Sequence, residues 1–170
     1  MFLIASLAAL PACKKSDEAG VAALAELRNA EGVVVGEATF EETDGGVKIR
    51  FEGRNLPPGP HGFHIHEHGD CTPPGFESAG DHFNPTSAQH GLRDPAGPHA
   101  GDLPNLEVAD DGSVVVEVVA HNLTLAQTGE MSLLSGDGTA LVIHAEADDQ
   151  ITDPAGAAGP RIACGVIRSR

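Results

Sequence analysis

HGFHIHEHGDCTPPGFESAGDHFNPTSAQHGLRDPAGPHAGD, residues 61–102, is the stretch around which this 170-residue chain is organised, because it holds seven of the nine histidines. Its segment FHIH (63–66) alternates like a β-strand. The side chains of His64 and His66 are therefore expected to face the same way, about 7 Å apart along the chain. A pair of imidazoles on one face can hold a single metal ion, although His-x-His alone is a weak signal.

Further potential ligands follow in a segment crowded with Gly and Pro, which cannot form one continuous helix or strand. They are His82, His90, His99 and Asp102. Side chains on such a loop converge only if something ties the loop down, and three imidazoles with one carboxylate suit a closed tetrahedral zinc site. A single loop histidine is usually solvated or hydrogen-bonded, but a dense group on one loop and its adjoining strand is typical of metal binding.

The rest of the chain alternates apolar and polar residues in short runs between turns. Strands are predicted over 34–41, 47–52, 106–108, 114–121, 139–146 and 161–168. Asp44-Gly45-Gly46 is a hairpin turn signal. Residues 56–60 are predicted to form a Pro/Gly connection, and 123–137 a connection with no clear period. Many short strands with Gly/Pro turns and no helical period predict an all-β sandwich or barrel.

Six motifs resemble the copper/zinc superoxide dismutase family and occur in that family's order. They are GFHIHE (62–67), SAGDHFNP (78–85), HG (90–91), HAGDL (99–103), LVIH (141–144) and RIACGVI (161–167). The resemblance covers residues 21–170 and is nearest to the bacterial branch, where the first bridging cysteine directly follows Gly-Asp, as Cys71 does here. It implies an eight-stranded Greek-key β-barrel or sandwich with two long metal-site loops.

The resemblance implies an enzyme, a superoxide dismutase, in which copper cycles between Cu(II) and Cu(I) while superoxide becomes dioxygen and hydrogen peroxide. The implied copper ligands are His64, His66, His82 and His144. The implied zinc ligands are His82, His90, His99 and Asp102. His82 would then bridge both ions and take part in catalysis. The alternative is a non-catalytic copper/zinc-binding or copper-delivery module on the same fold.

Further roles are implied outside the two ligand sets. Asp148 would accept hydrogen bonds from His64 and His90 and so fix the orientation of both rings. Arg161 would guide the anion, since its permanent charge and planar fork suit a small diatomic substrate. His61 would be a non-ligand histidine that packs and hydrogen-bonds within the barrel. Two histidines have no implied role and are expected at the surface: His68 and His121.

The three cysteines suit an exported protein. The resemblance implies a disulfide between Cys71 and Cys164, which leaves Cys13. The apolar run MFLIASLAALPA (1–12) has the character of an export signal. It leads into LPAC (10–13), which resembles the cleavage box of a bacterial lipoprotein with Cys13 as the lipidated residue. An ordinary signal peptide cut nearby is the alternative. Residues 13–20 are predicted to be a polar tether and 21–170 the domain, placed in the periplasm or cell envelope.

The chain is strongly acidic, with a formal net charge of -15 from ten Lys+Arg against 25 Asp+Glu. Such a chain is a poor nucleic-acid binder, because phosphate contacts need clustered positive charge. Membrane contact is expected only through the lipid, and the resemblance allows a homodimer. Superoxide is itself an anion, and the loop at 148–160 contains no Lys or Arg. Attraction must therefore come from Arg161, the metals and basic residues elsewhere, which predicts a weak dependence of the rate on ionic strength.

Overall fold

The computed structural model describes residues 21–170, so the predicted export signal, the tether and Cys13 lie outside the described residues. The strands are β1 Val21–Asn29, β2 Val34–Thr43, β3 Gly46–Gly53, β4 Gly59–His61, β5 Phe63–His66, β6 Leu106–Val108, β7 Val114–His121, β8 Ala140–His144, β9 Arg161–Val166 and β10 Arg168–Ser169. A 3-10 turn occupies Glu77–Ala79. In residues 21–170, none of the helical segments has the length and apolar character needed to cross a membrane.

Eight of these strands form one curled antiparallel sheet. The order is β5-β8-β9-β1-β2-β3-β7, with β10 paired to the start of β1, while β4 and β6 form a separate antiparallel pair. Two long loops, 67–105 and 145–160, follow β5 and β8. The predicted all-β fold with two long loops is therefore confirmed.

Strict alternation builds the main core. β1 and β3 turn every second side chain inward: Ala23, Ala25, Leu27, Val47, Ile49 and Phe51, all essentially inaccessible to solvent. The outer face carries ion pairs such as Arg50 with Glu52 and Lys48 with Glu41. Exposed pairs of this kind contribute little to stability. The apolar inner face is what holds the sheet closed around its core.

The observed strands differ from the predicted ones in three places. β1 was not predicted as a strand, although its inward residues alternate. β4 begins within 56–60, which was predicted as a connection because its three prolines and Gly59 argue against a strand. Pro60 is tolerated since β4 pairs on one side with β6, and an edge strand can leave a missing N–H unpaired. The last predicted strand is also divided between β9 and β10, at Ile167.

Candidate metal centre

The strand β5 supplies the first two potential ligands. The rings of His64 and His66 lie on the same side with their centroids 6.4 Å apart, and both side chains are buried. The free edge of β5 is covered by the 67–105 loop, since Ile65 N–H donates to the Gly101 carbonyl at 2.8 Å. A side chain on Gly101 would place its Cβ 2.3 Å from the Ile65 carbonyl oxygen, so this close approach requires glycine.

Two groups of buried side chains converge at this edge. In each group the candidate ligand atoms all lie within 4.8 Å of one another. The first group is His64, His66, His82 and His144, and the second is His82, His90, His99 and Asp102. His82 belongs to both. The structure thus brings together all seven side chains that the resemblance implied as ligands.

Hydrogen bonds fix which nitrogen of each ring is free. His66 Nδ1–H donates to the Gly80 carbonyl at 2.9 Å, and His144 Nδ1–H donates to the Gly159 carbonyl at 3.0 Å. His64 Nε2–H donates to Asp148 Oδ2 at 2.7 Å. Because these oxygens can only accept, the opposite nitrogen of each neutral ring keeps its lone pair. Three lone pairs in the first group are therefore left to bind a metal ion. They are on His64 Nδ1, His66 Nε2 and His144 Nε2.

Several nitrogens in these groups are buried without a hydrogen-bond partner among residues 21–170. They are His64 Nδ1, His82 Nε2 and His99 Nδ1. Buried polar atoms are nearly always paired, and leaving one unpaired costs about 1–3 kcal/mol. A cation in each group would satisfy all three. Four imidazoles suit copper, and three imidazoles with one carboxylate suit zinc, so the donor sets fit the two metals implied by the sequence.

Asp102 organises the second group. Its Oδ1 lies 2.8 Å from His82 Nδ1, 3.1 Å from His90 Nδ1 and 3.4 Å from His99 Nδ1. Its Oδ2 accepts backbone N–H groups from Gly91 and His99. Burial alone would raise the pKa of Asp102, but the hydrogen bonds from His82 and His90, the nearby His99 ring and the Gly91 N–H hold the pKa well below its ordinary value. The carboxylate is therefore ionised and fully oriented toward the three rings.

Asp148 links the two groups from behind. Its Oδ2 accepts the hydrogen bond from His64, and its Oδ1 accepts one from His90 Nε2–H at 3.0 Å. Burial would raise the pKa of Asp148, yet these hydrogen bonds lower it, so the side chain stays charged although fully buried. Asp148 therefore contacts the two histidines that the resemblance implied.

The histidines differ in how readily they can bind a cation. Burial lowers the pKa of His64 to about 3 and that of His144 to about 4, and it also lowers the pKa of His66. These rings are neutral at pH 7 and need lose no proton to act as ligands. Burial opposes the charged form of His90 as well, but hydrogen bonds to Asp102 and Asp148 raise the pKa of His90 to about 9. Without a metal, His90 is an imidazolium between two carboxylates.

Zinc binding to the metal-free protein near pH 7 should therefore release roughly one proton, from His90 Nδ1. Because the pKa of His90 is about 9, the ring is protonated at pH 7, and zinc competes less with the proton as the pH rises. The affinity should increase by up to about tenfold per pH unit until the pH approaches 9. Calorimetry in buffers with different heats of ionisation counts the released protons. An affinity that is the same at pH 7 and pH 8 would contradict this assignment.

The same titration affects the metal-free fold. A folded-state pKa of His90 above its ordinary value of 6.5 stabilises the folded chain at low pH. That contribution is complete below about pH 6.5 and is lost as the pH rises through about 9. Zinc binding and fold stability of the metal-free chain should thus change in opposite directions with pH in this range.

Arg161, the first residue of β9, is held beside the first group. Its guanidinium donates to the Phe76 and Gly80 carbonyls, both at 2.6 Å. It lines a cavity of about 380 Å³ together with His66, His82 and His144. Three exposed carboxylates also line this cavity: Glu67, Asp81 and Asp153. The cavity thus gives a small anion access to the histidines past one cation and three negative charges.

The predicted disulfide between Cys71 and Cys164 is present, with the two Cα atoms 5.6 Å apart. Cys164 lies in β9 and is buried, and Cys71 lies at the start of the segment that carries Phe76 and Gly80. The disulfide therefore ties the segment 71–80 to the sheet. The Phe76 and Gly80 carbonyls of this segment hold Arg161, and the Gly80 carbonyl also holds His66.

The remaining predicted residues also have defined positions. His61 is buried, with Nδ1 2.8 Å from the His144 carbonyl and Nε2 2.8 Å from the Pro57 carbonyl. His68 and His121 are exposed, as expected. Two kinds of group were not predicted: the carbonyls that orient the rings, and Asn105, which hydrogen-bonds Asp148. Backbone carbonyls leave no signal in the sequence. For Asn105, the only signal was its closeness in sequence to Asp102.

The family model for copper/zinc superoxide dismutase (SODC) matches residues 34–167. Two relatives from Aquifex aeolicus, superoxide dismutase (Cu-Zn) 2 and superoxide dismutase (Cu-Zn) 1, are 53% and 50% identical over 145 residues. These alignments cover 85% of this chain and 85% and 86% of the relatives. A crystal structure of a SOD-like protein from Bacillus subtilis superposes with a TM-score of 0.81 at 44% identity, over 84% of this chain and 96% of that one.

Proposed function

The chain belongs to the copper/zinc superoxide dismutase family, and we propose that its two groups of converging side chains hold the copper and the zinc of that reaction. Its activity is the dismutation of superoxide to dioxygen and hydrogen peroxide. The observation that carries the assignment of residues is the convergence of two four-residue groups that share His82. Copper would bind the all-histidine group, and zinc the group that contains Asp102.

Copper, when bound, supplies one-electron oxidation and reduction, and zinc supplies a fixed positive charge beside it. The chain's own residues do the rest. His82 Nδ1 faces Asp102 in the second group, which leaves Nε2 for the first group. Whenever Nε2 is not bound to copper, it can hold a proton and deliver it to the peroxide as it forms. Arg161 sits at the cavity with its guanidinium fixed by two carbonyls, which favours one docking position for the anion.

Asp148 and the Gly80 and Gly159 carbonyls keep the rings in the tautomers that ligation needs. No side chain has to rotate or lose its hydrogen-bond partner for copper to bind His64, His66 and His144. Preorganisation of this kind lowers the cost of binding, and partners outside the ligand set typically contribute about 10–100-fold to metal affinity or activity.

The alternative, a non-catalytic metal-binding or copper-delivery module, is not favoured. The ligand set is complete, and the guanidinium at the cavity is in place. Measuring copper and zinc per chain together with superoxide-dependent activity tests the proposal. Two metals per chain with activity proportional to copper is the expected result. A protein that binds both metals but does not accelerate superoxide decay would contradict it.

Electron paramagnetic resonance tests the shared ligand. The spectrum of copper should change when zinc is removed, because both ions would contact the same ring of His82. An identical spectrum in zinc-loaded and zinc-depleted protein would contradict a bridging role for His82.

The rate should depend only weakly on ionic strength. The cavity is lined by Arg161 and by three carboxylates, and the whole chain carries a net charge of -15, so long-range attraction of superoxide is largely cancelled. Added salt screens both the attractive and the repulsive charges over about 8–10 Å. Stopped-flow or pulse-radiolysis rates at constant copper occupancy provide the measurement. A steep fall in rate with added salt would indicate a dominant positive field and contradict this expectation.

We also propose that the mature protein is exported and attached to a membrane of the cell envelope through a lipid on Cys13. Support comes from the LPAC box (10–13) after an apolar run, and from the disulfide between Cys71 and Cys164, which does not use the third cysteine of the sequence, Cys13. The domain would then be residues 21–170, after a tether at 13–20. Mass spectrometry of the mature N-terminus should find a diacylated Cys13, and an uncleaved or unlipidated N-terminus would contradict it.

Sedimentation of the released domain tests the homodimer that the family resemblance allows.

A further inference from the structure

Asn105 pairs with the main chain of Asp148 in both directions. Its Nδ2–H donates to the Asp148 carbonyl at 2.8 Å, and its Oδ1 accepts the Asp148 N–H at 3.0 Å. Asn105 lies three residues after Asp102 and directly before β6. A side-chain amide therefore joins the end of the 67–105 loop to the 145–160 loop, in the way that one strand residue pairs with another.

The position of this main chain decides what the Asp148 carboxylate can reach. The side chain is fully buried and contacts His64 on one oxygen and His90 on the other. The surroundings leave it little freedom, because a Cβ on Gly156 would lie 1.7 Å from Asp148 Oδ1. The Gln150 N–H also donates to that oxygen, at 2.6 Å. A small displacement of the Asp148 backbone would thus break the contact with one histidine or both.

We propose that Asn105 is a positioning residue for both metals: it fixes the main chain of Asp148, and Asp148 in turn orients His64 for copper and His90 for zinc. The inference rests on the proposed metal sites and deepens them. It assigns a role to an uncharged side chain that belongs to neither ligand set. Asn105 acts on the metal sites in two steps. Two hydrogen bonds join its amide to the Asp148 backbone, and two more join the Asp148 carboxylate to the rings of His64 and His90.

Asn105→Ala removes both amide hydrogen bonds and tests the inference. It should weaken zinc binding, measured by competition with a chelator, by about tenfold or more. It should also alter the copper electron paramagnetic resonance spectrum, because His64 is no longer held in one orientation. Asn105→Asp keeps the size and the acceptor but loses the donor, and it should change both properties in the same direction. If Asn105→Ala does not fold, Asn105→Asp supplies the measurement. Zinc affinity and a copper spectrum equal to those of the parent would overturn the proposal.

A double-mutant cycle separates positioning from a general loss of structure. If Asn105 acts through Asp148, then Asn105→Ala should weaken zinc binding by less than about twofold in a protein that already carries Asp148→Asn. If the losses of zinc affinity caused by Asn105→Ala and by Asp148→Asn were additive in the double variant, the proposal would be overturned. The matched control is Asn29→Ala, since Asn29 Oδ1 accepts the N–H groups of Glu31 and Val33 in a turn between β1 and β2. That variant should leave the zinc affinity and the copper spectrum unchanged.

These measurements do not depend on turnover. Zinc affinity and the copper spectrum are read without superoxide, so a failure of the proposed function would appear as missing activity in a protein that binds both metals. A failure of the inference would appear as unchanged metal binding in the Asn105 variants.

Discussion

Replacing His82 by alanine should lower superoxide dismutation at least about a hundredfold and weaken the binding of both metals. Even partners outside a ligand set contribute about 10–100-fold, and His82 is a candidate ligand of both ions. Its Nδ1 lies 2.8 Å from Asp102 Oδ1 in the zinc group, and its Nε2 belongs to the copper group. Alanine removes both nitrogens and the proton that Nε2 could carry. Activity per bound copper and the metal content of the purified variant provide the measurement.

His121→Ala is the matched control for this experiment. His121 is an exposed histidine at the end of β7 whose Nδ1 lies 3.2 Å from the Gly45 carbonyl, and neither residue belongs to either group. Its removal should change activity by less than about twofold, as for most surface substitutions. If His82→Ala kept more than a tenth of the parent activity at equal copper occupancy, the shared-ligand assignment would be wrong.

Replacing Cys71 by serine should lower the free energy of unfolding by about 4–5 kcal/mol in the chain-entropy description of a disulfide. The two cysteines are 93 residues apart in sequence, so the intact bond excludes a large number of unfolded conformations. Denaturant unfolding of the metal-free protein, with the disulfide intact or replaced, measures the difference. A loss below about 1 kcal/mol would mean that the disulfide barely constrains the unfolded chain.

The Cys164→Ser variant and the double variant complete that experiment. All three should lose a similar amount of stability, because each removes the same bond. Activity should also fall, although less than in His82→Ala. The segment released by the substitution carries the Phe76 and Gly80 carbonyls, which hold Arg161 and His66 in place. A variant that is destabilised but has full activity would show that this segment keeps its position without the disulfide.

Much of the sheet could be predicted from the sequence. β3 and β7 alternate clearly, and both lie within about a residue of the predicted ranges. Alternation is a local property and can be seen wherever one face is buried. β4 could not be predicted in this way, because Pro60 speaks against a strand. Its pairing with β6 depends on a segment about 45 residues further along the chain.

The two ligand sets were implied by the family resemblance, and the structure brings each set together. Residue spacing alone could not have predicted this convergence. Spacing in the sequence placed His64 and His66 on one face of a strand, where they lie. It could not place His144 beside them, since that contact requires β8 to pair with β5 in one register. Nor could it place His82 between the two groups, which requires the 67–105 loop to fold back onto the edge of β5.

The sequence by itself determined the chemistry of this protein: the number and type of donor side chains, the disulfide cysteines, and an alternation that closes into a sheet. Only the tertiary structure decided which nitrogen of each ring is free, through the Gly80 and Gly159 carbonyls and the Asp148 carboxylate. It also decided that Asn105 would hold Asp148. The reason is physical, because a backbone carbonyl is the same group in every residue. What it binds depends on where the chain carries it.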